Sequence, residues 1–313
     1  MRKIYTMFVS ALFVISLSAI SASAIEQNVQ VFTTDNTNGN ITPKTISAAF
    51  ASSGLSIGGN NDMNKPFKLR FTKLHYKTYN LAMFRSDELT LKLIKKYPKF
   101  GVLTPLTMSI YSDKGSMNIS TLTLEGMART TGIPVTDPDL IAYAKLTDKA
   151  LHLALPNGKY KKLSHNVESK TDNYAQAFSV ELEKGTDLEE WREDFENEFE
   201  GEMEPIGFLM PNYTNLVEEI FEAAKYEEYD FFITYSVCKF DVIYPVSKLH
   251  PEAGAYAPCT MYVYKKKGDS KVYIGYLGVN NWIKTLDIKD EKAVAALNEA
   301  QGMINNILAE LTE

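Results

Sequence analysis

Residues 250–264 read HPEAGAYAPCTMYVY and residues 97–111 read YPKFGVLTPLTMSIY. Six of these fifteen positions agree without a gap, pairing Pro98 with Pro251, Gly101 with Gly254, Pro105 with Pro258, Thr107 with Thr260, Met108 with Met261 and Tyr111 with Tyr264. Unrelated segments of average composition share roughly one position in fifteen. An echo of this strength implies two copies of one unit, and that expectation organises the rest of the reading.

In both stretches a Pro and a Gly close a helical pattern and an alternating strand follows. Leu106, Met108 and Ile110 alternate with Thr107, Ser109 and Tyr111, a period of two that predicts one buried face. A turn at Asp113 to Gly115 leads to a partner strand over 118–124, and in the second half the partner is 271–278, across a turn ending at Gly268-Asp269. Upstream, 76–84 and 230–238 read as strands, and Ser86-Asp87-Glu88 caps a helix running to about Tyr97. Thr42-Pro43 starts a helix with Ile46, Ala49 and Phe50 on one face, and Thr186-Asp187 starts one with Leu188, Trp191, Phe195 and Phe199. Ile206-Gly207 aligns with Ile57-Gly58, and 212–225 reads as an amphipathic helix carrying Leu216, Ile220 and Phe221. Each half closes on a helix, begun by Asp137-Pro138 and by Asp290. The expected fold class is α+β, as two tandem copies of an antiparallel sheet with helices on one face. The expected boundaries are a signal peptide at 1–24, a first domain at 25–158, a linker at 159–172 and a second domain at 173–313.

With 313 residues, 45 % hydrophobic and 23 % charged, the chain has the length for about two ordinary globular domains. A net charge of -6 offers no basic footprint, so nucleic acid is not an expected partner. Met1-Arg2-Lys3, an uncharged run from Ile4 to Ile20 and the small-residue site Ala22-Ser23-Ala24 together predict export to the periplasm or the medium. The apolar run is shorter than the ~20 residues of a membrane span, and no stable membrane anchor is expected once it is cleaved. Only two cysteines are present, so disulfides are not the main scaffold.

The helix that ends before a Pro and a Gly, the Pro258-Cys259 strand start and the Cys238 strand end together resemble the bacterial domain-of-unknown-function family 302. Thr104-Pro105-Leu106 is similar to a leucine version of the same motif, and Asp62 sits where members often carry Asp. The resemblance covers nearly the whole chain as two copies and implies a topology similar to that of the TATA-binding protein, without implying DNA binding. The first half departs from the cysteine version, with Arg85 and Leu106 at the two positions.

Cys238 and Cys259 form the candidate thiol pair. Antiparallel strands would bring them to one end of the sheet, within the reach of a disulfide. Against this, Cys259 shares parity with Met261 and Val263 whereas Cys238 shares parity with Thr234 and Ser236. A disulfide, two separate buried thiols and a reactive pair all stay open. His250 lies between the cysteines with eleven and eight residues intervening, which matches no compact zinc motif, and neither a metal, a cofactor nor a catalytic triad is expected. Gly58-Gly59-Asn60-Asn61-Asp62 reads as a turn-rich polar loop that offers backbone N–H groups to a ligand. Pro258, Tyr262 and Tyr264 complete the motif-adjacent set, with the tyrosines suited to half-buried sheet surface.

Charge is segregated: 65–99 holds ten Lys and Arg against two acids, and 181–204 holds twelve acids against two cations. Opposite signs suggest that the two stretches face each other across a domain or dimer interface. The functional expectation is a non-enzymatic module that holds a small-molecule ligand or an envelope protein between two copies, with a homodimer compatible with it. The alternative is a thiol- or sulfur-handling protein using Cys238 and Cys259.

Overall fold

The computed structural model describes residues 27–163 and 175–313; the signal-peptide expectation and most of the linker lie outside these residues. The first half runs β1 (Val29–Asp35), α1 (Pro43–Ser52), β2 (Ser56–Asp62), α2 (Asn64–Phe71), β3 (Tyr79–Arg85) and α3 (Asp87–Lys96). A 3₁₀ turn (Pro98–Leu103) then precedes β4 (Leu106–Asp113), β5 (Ser116–Leu122), α4 (Leu124–Thr131), α5 (Pro138–Ala154) and β6 (Lys159–Lys161). The second half runs β7 (Ala175–Glu181), α6 (Leu188–Met203), β8 (Phe208–Asn215), a π turn (Val217–Phe221), β9 (Tyr229–Lys239) and α7 (Phe240–Leu249). A second 3₁₀ turn (Pro251–Ala255) leads to β10 (Cys259–Lys266), β11 (Lys271–Leu277), α8 (Asn280–Thr285) and α9 (Glu291–Glu310). The protein is thus α+β, with two antiparallel sheets and helices packed on them.

The helix starts follow local chemistry. Thr42 accepts from the Thr45 N–H and Thr45 returns the bond in a capping box, with Pro43 in the first turn. Ser86, Asp137, Asp187 and Asp290 each cap a helix through a side-chain oxygen. The strand orders match: β2-β3-β4-β5-β1-β6 in one sheet and, read from β8, β8-β9-β10-β11-β7 in the other.

Register replaces three expectations. Residues 58–62 are not a loop but part of edge strand β2: Gly59, Asn60, Asn61 and Asp62 face Met83, Ala82, Leu81 and Asn80 of β3, and Gly58 is the extra residue of a bulge. The stretch 212–225 is not one helix either, because β8 continues to Asn215 before the single π turn. Pro211 sits at the β8 irregularity, on an edge where its missing N–H is tolerated. Finally, Ser56 faces Arg85 and Leu209 faces Cys238, so Leu209 answers Ser56. The glycine after the helix, Gly54 in one half and Gly207 in the other, is the matched position, and both have φ near +90° (96° and 86°). Within the expected linker, Lys159–Lys161 is a strand paired with β1.

The echo stretches turn out to join the halves. The 3₁₀ turn Pro98–Leu103 packs on β10 and β11, while Pro251–Ala255 packs on β4 and β5. Gly101 lies against Tyr262, where a Cβ would come to 2.9 Å, and Gly254 lies against Ser109 and Leu81, where a Cβ would come to 2.8 Å from Leu81 Cδ2. Both turns lead through a cis X-Pro bond, at Pro105 and at Pro258, into the following strand. The sheets are therefore covered on two faces, and Thr107, Ser109 and Tyr111, expected on an open face, are buried. Three hydroxyls on these faces find partners across the seam. Ser109 Oγ donates to the Pro251 carbonyl at 2.7 Å, Ser120 Oγ to the Glu252 carbonyl at 2.9 Å, and Thr260 Oγ1 to the Pro105 carbonyl at 3.3 Å. Satisfied in this way, the hydroxyls lose little on burial.

The basic and acidic stretches do not pair with one another among the described residues. Arg70 bridges Asp241 and Arg85 bridges Glu219, both acids outside 181–204.

Candidate functional site

Antiparallel pairing places Cys259, the first residue of β10, opposite Val237 of β9, and Cys238 one residue further along. The two cysteines therefore lie at the same end of the sheet, as expected, but on neighbouring strands one step out of register. Successive side chains leave a strand on opposite faces, so the pair is set for two separate thiols rather than a bridge. Both are free thiols in this structure.

Cys259 points with Met261 and Val263 to the helix side, where a narrow cavity opens between the sheet and α7, α8 and α9. Its walls include Phe208, Val237, Ile243, Leu297, Ala300 and Ile304, with both cysteines and Trp282. The space available to the centre of a water-sized sphere is about 40 Å³. One water needs roughly 10–15 Å³ on that measure, so the cavity accepts a small group but not a drug-sized ligand as it stands.

A second cavity, about 210 Å³ on the same measure, lies at the seam between the halves. Asn61 and Asp62 of β2, Met63, Pro66 and Leu81 form one side, and Leu209, Pro211, Cys238, Phe240 and Pro258 the other. Cys238 and Pro258 belong to both cavities. The structure thus brings the end of the polar stretch and half of the thiol pair into one site, which linear distance gave no reason to expect.

Burial raises both thiols to about 12; for Cys259 the neighbouring Cys238 adds to the rise and Trp282 opposes it. A thiol so placed is ionised to roughly one part in 10⁵ at neutral pH, a poor nucleophile and a poor metal ligand. The Trp282 indole is 3 % exposed; its N–H faces the Cys259 thiol, whose pKa it lowers, without a fully formed hydrogen bond. A buried donor in an apolar cavity wall that faces only a weak sulfur acceptor is a group that a ligand oxygen would satisfy better.

The other expected site residues sort differently. Tyr262 and Tyr264 are buried on the seam face of the second sheet: Tyr264 stacks on Phe232 at 5.0 Å and on Tyr273 at 5.1 Å, and Tyr262 covers Gly101 and Gly275. Their role is packing. His250 ends α7 and sits 3.4 Å from Glu252, away from both cavities. Among the described residues no group of three or more His, Cys, Asp or Glu could hold a metal. Asn60 holds the fold together, donating to the Pro43 carbonyl and Ser47 Oγ while accepting from Asn80. Gly59 lies on the strand pair against Met83, and Gly58 lies against Asn212, where it lines a cavity of about 150 Å³ with Arg85, Pro105 and Glu219. Sequence reasoning did not find Trp282, Phe240 or Ala300. Trp282 carried one available signal, being one of only two tryptophans.

Residues 179–311 match the family model described as Domain of unknown function DUF302, and the chain carries one such domain there, spanning both cysteines and Trp282. The crystal structure of an uncharacterized conserved DUF302 protein from Bacillus stearothermophilus is similar at 16 % identity, over 45 % of this chain and 98 % of that one, with a TM-score of 0.35. No curated protein matches the chain.

Proposed function

We infer that the protein is an exported, non-enzymatic binding module, built from two copies of one unit, that holds a small apolar molecule bearing a hydrogen-bond acceptor. The observation that carries this reading is the apolar cavity of the second half, with Trp282 in its wall and the indole N–H held only by the weak Cys259 acceptor. Sites of this kind combine apolar walls with a few placed polar groups. Support for two copies comes from the six matched positions and from the shared strand order. Residues 25–158 and 173–313 are the proposed units, with export proposed from residues 1–24. The neutral thiols favour binding over thiol chemistry, because a redox pair works through a thiolate.

The test is a titration with 2-hexanone, whose carbonyl can accept from Trp282 and whose tail is apolar. In a Trp191→Phe background, Trp282 emission is expected to change saturably, with a Kd on the order of 1 mM or tighter. Ala300→Phe, which fills the cavity, is expected to abolish the change while the protein stays folded by circular dichroism. A response that survives Ala300→Phe places the ketone elsewhere and sinks the reading. Rapid alkylation of Cys238 or Cys259 by iodoacetamide in the folded protein, with a thiol pKa below about 8, would replace it with the thiol-handling alternative.

A further inference from the structure

The junction of α2 and α7 carries three leucines that the fold leaves in water. Leu69, Leu249 and Leu74 are 87 %, 58 % and 43 % exposed. They belong to one surface because aromatic rings tie the segments together. Tyr244 of α7 stacks on Phe71 at 3.9 Å, and its hydroxyl donates to the Lys73 carbonyl at 3.2 Å. Tyr76 closes the other side, donating to the Lys248 carbonyl at 3.2 Å. The ends of both helices and the segment 72–77 therefore form a continuous rim.

Cations crowd that rim. Lys65, Lys68, Arg70, Lys73, Lys77 and Lys248 are all exposed, and among the described residues Arg70 alone of the six makes an ion pair, with Asp241. Five uncompensated lysines stand here on a chain whose net charge is -6. Single exposed leucines need no explanation, whereas three on one cationic rim ask for a partner that is apolar below and anionic above. The acidic face of α6 supplies the charge but not the rest. Its fully exposed positions carry only Glu, Asp, Asn and Gly, so a second copy docking through it would leave the leucines uncovered.

We propose that this surface docks the protein on an anionic lipid bilayer, with Leu69, Leu74 and Leu249 entering the interface and the surrounding lysines at the headgroup phosphates. An anionic interface has the matching layers, apolar chains beneath a plane of negative charge, and each lysine near it adds to the attraction. The leucines are short of any span: among the described residues no helix is long and apolar enough to cross a membrane, so the contact is peripheral.

The test uses the full chain with Leu69→Trp, read against the parent protein so that Trp191 and Trp282 cancel, and the charge reversals below separate the rim from any other membrane-active segment. Vesicles containing about 30 % phosphatidylglycerol in phosphatidylcholine are expected to shift the new emission to the blue, and brominated acyl chains to quench it. Adding Lys68→Glu, Lys73→Glu and Lys248→Glu is expected to weaken the partitioning on the order of 100-fold, with the circular dichroism unchanged. Three results overturn the proposal. One is no shift with anionic vesicles. Another is an equal shift with phosphatidylcholine alone. The last is a shift that grows with protein concentration in the absence of lipid, which would assign the rim to a second copy.

Discussion

The two halves meet the same structural position in opposite ways. Arg85 ends β3 where Cys238 ends β9, and Leu106 begins β4 where Cys259 begins β10. In the first half the strand end is charged and its helix side is packed, while on the seam side Arg85 lines a cavity of about 150 Å³ with Gly58, Pro105, Asn212 and Glu219. The Arg85 guanidinium, 13 % exposed, donates to Asp87 at 2.7 Å and across the seam to Glu219 at 2.5 Å. Burial opposes its charge, but the two carboxylates outweigh burial and raise its pKa. Behind it the buried Tyr143 ring lies 5.8 Å from Phe100, and its oxygen accepts from the Ser86 N–H at 2.9 Å. In the second half no charge crosses at this point, two neutral thiols stand in its place, and a cavity remains under the helices. The matched strand ends thus differ in chemistry, a charged clamp beside a polar cavity in one half and neutral thiols beside apolar cavities in the other, and the difference rests on a few side chains.

The largest way to break this arrangement lies where the halves are alike. Gly254→Leu would drive a side chain into Ser109 and Leu81, with an expected loss of about 3 kcal/mol or more in urea unfolding. Gly101→Ala is expected to lose less, about 1 kcal/mol, because its single added carbon meets Tyr262 at 2.9 Å, where one at Gly254 meets Ser109 Cβ at 2.4 Å. Equal losses would count against this account of the seam.

Removing the clamp comes next. Arg85→Leu leaves Asp87 and Glu219 near half exposed, at 47 % and 45 %, so water can serve them. A loss of about 1–2 kcal/mol is expected, above the level of a surface pair because the guanidinium itself is largely buried. Cys238→Ala should cost no more than its packing, and similar costs at the two positions at high salt would erase the contrast.

The thiols add to the alkaline pH dependence that buried tyrosines such as Tyr79 and Tyr143 give the first half, and they enter lower, from a thiol's ordinary value near 9 rather than a phenol's near 10. Their folded pKa of about 12 lies above the value near 9 of an exposed thiol, so the folded state keeps protons that the unfolded chain releases. Stability from this source is complete below about pH 9 and falls as pH rises toward 12, by at most ~1.4 kcal/mol per pH unit per thiol. Denaturation midpoints between pH 8 and 10.5 should fall less steeply in a Cys238→Ala, Cys259→Ala protein. Parallel slopes would show that the thiols are not desolvated. The smallest effect is expected of Tyr143→Phe, which leaves the Ser86 N–H without an acceptor at about 1 kcal/mol.

Much of this was readable in the residues, for physical reasons that differ by element. Helix caps at Thr42, Ser86, Asp137, Asp187 and Asp290 are local chemistry and fall where the sequence places them. Strands β4, β5, β9, β10 and β11 show their alternation, and the echo at 97–111 and 250–264 marks the turn before a strand in each half. What local reading missed depends on neighbours. The polar run at 58–62 has turn composition, yet β3 supplies hydrogen-bond partners that make it a strand. Asn212 to Asn215 falls in a helical period but is drawn into β8 by its pairing with β9. Helix α7 contains Pro245, which argues against a helix on local grounds, and packing against α9 and the second 3₁₀ turn prevails.

At 250–264 itself the division is clear. The residues alone determined an α+β chain with a repeated Pro–Gly–Pro turn and a strand beginning at Cys259, because propensity, parity and capping act over a few neighbours. They also identified Cys238 and Cys259 as what sets this half apart. Only the tertiary structure decided that each turn covers the other half's sheet, that the cysteines stand one register step apart, and that Trp282 and α9 enclose a cavity beside them. Those facts depend on contacts between residues far apart in the chain, where close packing and register, rather than local preference, set which side chains meet.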